Sequence, residues 1–152
     1  MRRAIALVVL SFIASIGIGL ASVASAVVPP GTSSTVLTGE REVPGPGDPN
    51  GLGRAVVSPR PSDSLVCINL RYRNIVKPTG AHIHEAPPTE AGPIVIDFTP
   101  LIATSAAGTI KGCVVVDPAL ARDVAQNPSD YYVDVHNAGY PAGAIRGQLS
   151  AD

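Results

Sequence analysis

The sequence predicts an all-β fold: an antiparallel Greek-key β-sandwich or flattened barrel of about eight short strands, with one short helix. Three observations lead there. Turn formers are dense and evenly spread, with 15 glycines and 15 prolines cutting the chain into runs too short for a helical bundle. Those runs alternate apolar and polar residues with a period of two, as strands with one face on a core do. Aromatic residues are few, tryptophan is absent, and a single stretch carries helix caps.

Taken in order, the chain opens with a segment that reads as a secretory signal peptide. Arg2 and Arg3 precede an apolar run over residues 4 to about 21, and Ala24-Ser25-Ala26 is a small-residue cleavage pattern, so residues 1–26 are expected to be removed on export. Residues 27–35, with Pro29-Pro30-Gly31, read as a flexible leader, and residues 36–150 as the folded domain. The first strand is expected over 36–43, ended by Pro44. The second, 53–58, is stopped by Pro59 and Pro61, and the third covers 64–73. Pro78-Thr79-Gly80 turns the chain into a short fourth strand, 81–85, and a rigid proline-rich loop follows over 87–93. Residues 94–98 and 110–116 are the fifth and sixth strands. Asp117 caps a helix whose first position suits Pro118; residues 119–126 continue it and Asn127-Pro128 stop it. Residues 131–136 form the seventh strand, and a turn through Gly139, Pro141 and Gly143 leads to the eighth, 144–149.

Charge and cysteine content bound the setting. Without Arg2 and Arg3, nine basic residues stand against twelve acidic ones, a net charge of −3, which argues against nucleic acid as a partner. No basic amphipathic helix points to a membrane surface after signal cleavage. A secreted or cell-envelope location is expected, and there Cys67 and Cys113 are expected to pair. Val66, Ile68, Leu70 and Tyr72 define the core face of one strand, and Ile110, Val114 and Val116 that of another, so both thiols fall on the opposite faces.

The three histidines fall in two strand segments. His82 and His84 are separated by one residue and so share a face; His136 shares its face with Asp134. In an oxidising compartment without a free thiol, three imidazoles favour copper or zinc. Asp134 or Glu85 would serve as a fourth ligand or as an acceptor for an imidazole N–H. The alternative is that His82 and His84 hydrogen-bond loop backbone and hold the proline-rich turn. Arg146 and Gln148 alternate with Ile145, Gly147 and Leu149, which reads as a solvated sheet face. Glu40 and Glu42 also share a face, but no second acidic strand faces them as a paired-carboxylate site requires. No Gly-x-Ser-x-Gly elbow supports serine hydrolysis, and no glycine-rich stretch carries the lysine and helix of a phosphate loop.

The chain resembles the chordin-type domain known as CHRD over nearly all of its length beyond the leader. The resemblance rests on Leu37-Thr38-Gly39-Glu40-Arg41-Glu42-Val43-Pro44, on Ala81-His82-Ile83-His84 followed by Gly92-Pro93-Ile94-Val95, and on Tyr132-Val133-Asp134-Val135-His136-Asn137 followed by Pro141 and residues 143–149. It implies an immunoglobulin-like sandwich and little chemistry. A second, shorter resemblance is to copper/zinc superoxide dismutases: His82-Ile83-His84-Glu85 looks like their copper-binding strand, and Val135-His136 with Ala142 to Gly147 like their late histidine and arginine segment. That resemblance implies His82, His84 and His136 as copper ligands and Arg146 as an anion guide, although the histidine-rich zinc loop is missing. The expectation is a secreted, non-catalytic module that binds a protein or cell-envelope partner, with a copper or zinc site. The alternatives are a copper-dependent redox protein and a purely structural secreted domain.

Overall fold

The computed structural model describes residues 31–151; the expected signal peptide and the start of the leader lie outside them. The fold is all-β and antiparallel, with strands β1 (Ser33–Thr38), β2 (Leu52–Arg60), β3 (Leu65–Arg73), β4 (Pro78–Glu85), β5 (Ile94–Asp97), β6 (Thr109–Val115), β7 (Tyr131–Asn137), β8 (Tyr140–Gln148) and the two-residue β9 (Ser150–Ala151). They run in the spatial order β5-β4-β7-β8-β1-β2-β3-β6, with β9 on β1. The β8–β1 junction is held by one registered pair, Thr38 with Arg146, so the sheet folds there into two halves. The connections β3–β4, β5–β6 and β6–β7 all cross between the halves, which gives the Greek-key links.

The core lies between the halves. Leu37, Val57, Ile68 and Leu70 from one side meet Ile83, Val133, Val135 and Ile145 from the other, all 3 % exposed or less. The helix α2 (Pro118–Gln126) closes one end by burying Ala121 and Val124. Its start follows from local chemistry: the Asp117 side chain accepts from the Ala119 N–H at 2.7 Å, and Pro118 fills a position whose N–H would have no partner.

Several boundaries differ from the sequence expectation. Strand β1 starts at Ser33, inside the expected leader, because Ser33 and Thr35 pair with Val57 and Ala55 of β2. It stops at Thr38, and residues 39–41 form a 3-10 turn rather than more strand. Strand β2 continues through Pro59, which lies beyond Val57, the last partner on β1, where a missing N–H interrupts no ladder between two neighbours. Strand β4 takes in Pro78 to Gly80, with a register shift against β7 where a turn was expected. A short helix, α1 (Thr99–Ile102), follows β5 and had no signal strong enough to mark it. Strand β8 begins at Tyr140 because the Asn137 side chain accepts from the Gly139 and Tyr140 N–H groups and tightens the turn.

Cys67 and Cys113 are directly opposed on β3 and β6 and form a disulfide across 46 positions of sequence. Closing a loop of that size restricts the unfolded chain by roughly 4 kcal/mol. Replacing both cysteines by alanine is therefore expected to lower stability by about 4 kcal/mol. Urea unfolding measures this, and an unchanged midpoint would show that the cross-link adds nothing to the β3–β6 pairing.

Candidate metal centre

The site lies on the face of the β4-β7-β8 sheet turned away from the core. Alternation sends Ala81, Ile83, Val133 and Val135 inward, so His82, His84, Tyr132, Asp134 and His136 point the other way. Register completes the grid: His82 faces Asp134, which faces Arg146, and His84 faces Tyr132, which faces Gln148. Gly80 faces His136, and a Cβ at Gly80 would stand 3.0 Å from the His82 ring and 3.4 Å from the His136 ring. The absent side chain is the room in which those two imidazoles meet.

Although this face points outward, two loops bury it. The loop after β4 is held by Arg146, which donates to the Glu90 and Pro87 carbonyls at 2.8 and 3.0 Å, and by Gln148, which donates to the Ala86 carbonyl at 2.9 Å. The Gly92 N–H donates to the Tyr132 hydroxyl at 3.2 Å. The loop after β1 is held where the Asp48 N–H donates to the Ala144 carbonyl at 2.8 Å. Arg146 is 1 % exposed and stacks its guanidinium 3.4 Å from the centre of the Tyr132 ring, whose other neighbour is the His84 ring, parallel at 4.8 Å. The expected solvated sheet face is thus an enclosed one, and Arg146 holds a loop in place rather than facing an incoming anion. Glu85 is exposed at the end of β4 and lies outside the cluster.

Each imidazole is tethered by one nitrogen and turns the other inward. His84 Nδ1 is 2.8 Å from the Gly92 carbonyl, His136 Nδ1 3.1 Å from the Pro141 carbonyl, and His82 Nε2 3.3 Å from the Thr99 hydroxyl. The inner nitrogens converge on Asp134, which is 3 % exposed: His136 Nε2 at 3.1 Å, His84 Nε2 at 3.2 Å and His82 Nδ1 at 3.5 Å. None of the three inner nitrogens, and not Asp134 Oδ1, meets the directional requirement of a hydrogen bond. Two ligands bound at 2.0–2.1 Å to a tetrahedral ion stand about 3.3 Å apart. The separations from Asp134 are of that size, and one ligand atom from each of His82, His84, Asp134 and His136 lies within 4.8 Å of the others. A group of three imidazoles and a carboxylate suits zinc or copper by ligand type, and the outer tethers fix the ring orientations as the surroundings of a bound metal do.

The electrostatics follow from this packing. Burial alone would raise the Asp134 carboxyl, but the three imidazoles outweigh it and hold it well below the usual carboxylate range. Contact with Asp134 raises His136 above the ordinary histidine value; in His84 burial works the other way, and the same carboxylate overcomes it. Glu42, in the loop after β1, is the residue that sequence reasoning passed over as half of an unmatched acidic pair. It is 5 % exposed, and its Oε1 has no hydrogen-bond partner. A side chain at Gly143, where φ is +145°, would collide with the Glu42 carboxyl. Burial, with the negative charge of Asp134 second, pushes Glu42 up to about 8.

A family model for the CHRD domain matches residues 33–149. Nothing matches among curated proteins or among solved structures.

The folded value of Glu42 lies above its unfolded value of 4.5, so its protonated form is favoured by folding; that stabilisation is complete below about pH 4.5 and is lost as pH rises to about 8. Metal-free protein is therefore expected to lose on the order of 3 kcal/mol between those limits relative to Glu42→Gln, which has no proton to release. Urea midpoints of both proteins at pH 5 and pH 8 measure the difference. Parallel pH profiles would show that Glu42 is ionised throughout.

Proposed function

Because this chain belongs to the CHRD-domain family, we propose that it is an exported, non-catalytic binding module whose β4-β7-β8 sheet and covering loops are fastened by one zinc or copper ion on His82, His84, Asp134 and His136. The observation that carries this is the inward aim of three tethered imidazoles whose inner nitrogens surround a single buried carboxylate at 3.1 to 3.5 Å, in contact with it but out of line for well-directed hydrogen bonds. Such nitrogens in a dry site are costly unless a further group satisfies them. Export is supported by the leader pattern at Ala24-Ser25-Ala26 and by the Cys67–Cys113 disulfide. Among the described residues no helix is long and apolar enough to cross a membrane.

A copper-dependent redox role in the manner of superoxide dismutases calls for an open coordination position and a cation turned to solvent. Here four ligands converge under two loops, and Arg146 is buried against Tyr132 and loop carbonyls. The closed, structural role is the reading these observations favour. The ion would then hold the fold of the domain, and a partner, protein or cell-envelope, would meet a surface outside the enclosed face.

Elemental analysis of the natively produced protein is expected to find one equivalent of zinc or copper, lost in His136→Ala and Asp134→Ala. At a metal excess of 100 dissociation constants, binding adds about 2.7 kcal/mol, so chelation is expected to lower Tm by roughly 10 °C. Reloading with Cu(II) should give a type-2 electron paramagnetic resonance signal that His82→Ala removes. Native protein without stoichiometric metal, and with a Tm indifferent to chelator, would leave a module whose buried imidazoles are structural alone.

A further inference from the structure

The strands of the two halves of the sandwich differ in charge. None of the twelve acidic residues lies in β1, β2, β3 or β6. On their outward faces the same strands carry Arg54, Arg60, Arg71, Arg73 and Lys111, all exposed. Arg54 and Arg71 face each other directly across β2 and β3, and Arg54 is also opposite Val36 of β1. Like charges in facing positions oppose strand pairing. Among the described residues none of these five cations has an ion pair or a side-chain hydrogen bond. The fold gives no reason for unpaired cations on one face of a chain that is acidic overall.

The surface beneath them is shaped. A shallow hollow of about 320 Å³ is lined by Val36, Leu52, Arg54, Arg71 and Arg73. It meets a second, of about 600 Å³, at Tyr72 and Arg73, and this one continues to Lys77. The cations extend from this trough along β2 to Arg60, six residues and about 20 Å beyond Arg54. That span is longer than any single small anion and matches a chain with repeated negative charges. Exposed Val36, with Leu52 and the arginine stems, gives an apolar floor on which sugar rings can lie while guanidinium groups pair with carboxylate or sulfate. Tyr72 is half-buried and is the single aromatic residue in these four strands, so there is no row of rings on which nucleic-acid bases could stack.

We propose that the outer face of β2 and β3 is a binding site for a linear anionic polysaccharide, whose carboxylate or sulfate groups pair with Arg54, Arg71 and Arg73. The site rests on the reading of this chain as a binding module, gives that module a partner class, and lies on the opposite half of the sandwich from the metal centre.

The test is binding of the purified protein to immobilised polygalacturonate and dextran sulfate, with neutral dextran, poly-L-glutamate and oligothymidylate beside them. The ratio of the first two tells carboxylate from sulfate. Kd is expected to weaken at least about tenfold between about 50 and 200 mM salt, because pairing releases counterions. It is expected to weaken at least about tenfold in Arg54→Gln/Arg71→Gln/Arg73→Gln and to stay unchanged in Arg122→Gln, whose side chain is exposed on α2. The triple variant should melt at the same or a higher temperature, since it loses a like-charged pair; should it fail to fold, Arg71→Gln alone carries the test with a several-fold loss. Chelator should leave binding unchanged, which separates this site from the metal centre. No binding at low salt, equal binding of neutral dextran, equal binding by the triple variant, or tighter binding of poly-L-glutamate or oligothymidylate would each overturn the assignment.

Discussion

One buried carboxylate constrains the outer half of this molecule. Asp134 sits in the middle of β7 with its charge removed from water, and a charge in that position must be met by positive or coordinating groups. The strand ladder supplies them. His82 is its cross-strand neighbour, His84 is diagonal to it, and His136 lies two residues along the same strand. Since each ring is anchored on its far side by a loop carbonyl or by Thr99, the imidazoles cannot turn away without breaking a second contact. The carboxylate therefore dictates the placement of the rings, and the rings dictate the paths of the loops that anchor them.

Those loops turn an open sheet face into a second interior. An antiparallel sheet ordinarily buries one face and wets the other. Here the second face carries Tyr132, Asp134 and Arg146 side by side and all nearly inaccessible, under residues 86–93 on one side and the segment around Glu42 on the other. The interior so formed is polar where the first is apolar. Its cohesion comes from donors aimed at loop carbonyls and from the stack of guanidinium, phenol and imidazole rings rather than from aliphatic packing. Polar enclosures of this kind hold one arrangement strongly and tolerate partial satisfaction poorly. Removing Arg146 would release the Pro87 and Glu90 carbonyls together, even though neither is near it in sequence.

The sequence made the two-residue spacings legible and left the long-range cover illegible. His82 with His84, and Asp134 with His136, follow from strand alternation alone, as do the faces of Cys67 and Cys113. That β4 and β7 are neighbours is a property of the Greek-key crossovers, and no local pattern encodes it. Arg146 and Gln148 look like a wetted face because alternation reports which side of a sheet a residue takes, not what lies over that side. Glu42 was passed over for the same reason: its partners come from β7 and β8, about a hundred positions away. The one local sign was Gly143, a glycine at φ +145° in a strand, where any side chain would strike the Glu42 carboxyl. Proline misled in both directions, being read as a stop at Pro59 and as a turn at Pro78, because its cost depends on whether a neighbouring strand needs the N–H.

The two halves of the sandwich are thus fastened by different chemistry and left with different surfaces. The β3–β6 side carries the disulfide on its outer face and stays open, so its arginines remain in water, where facing like charges are cheaply screened. The β4-β7 side has no covalent link and holds itself together by enclosing charge, which requires that its outer face be covered. A face cannot serve both purposes: an enclosed charge network must exclude water and ligands, whereas a surface that meets a large partner must present its cations to solvent. Within the strands, the acidic residues Glu85, Asp97 and Asp134 accordingly all lie in the enclosed half, and the exposed cations lie in the open half, where we propose the partner binds.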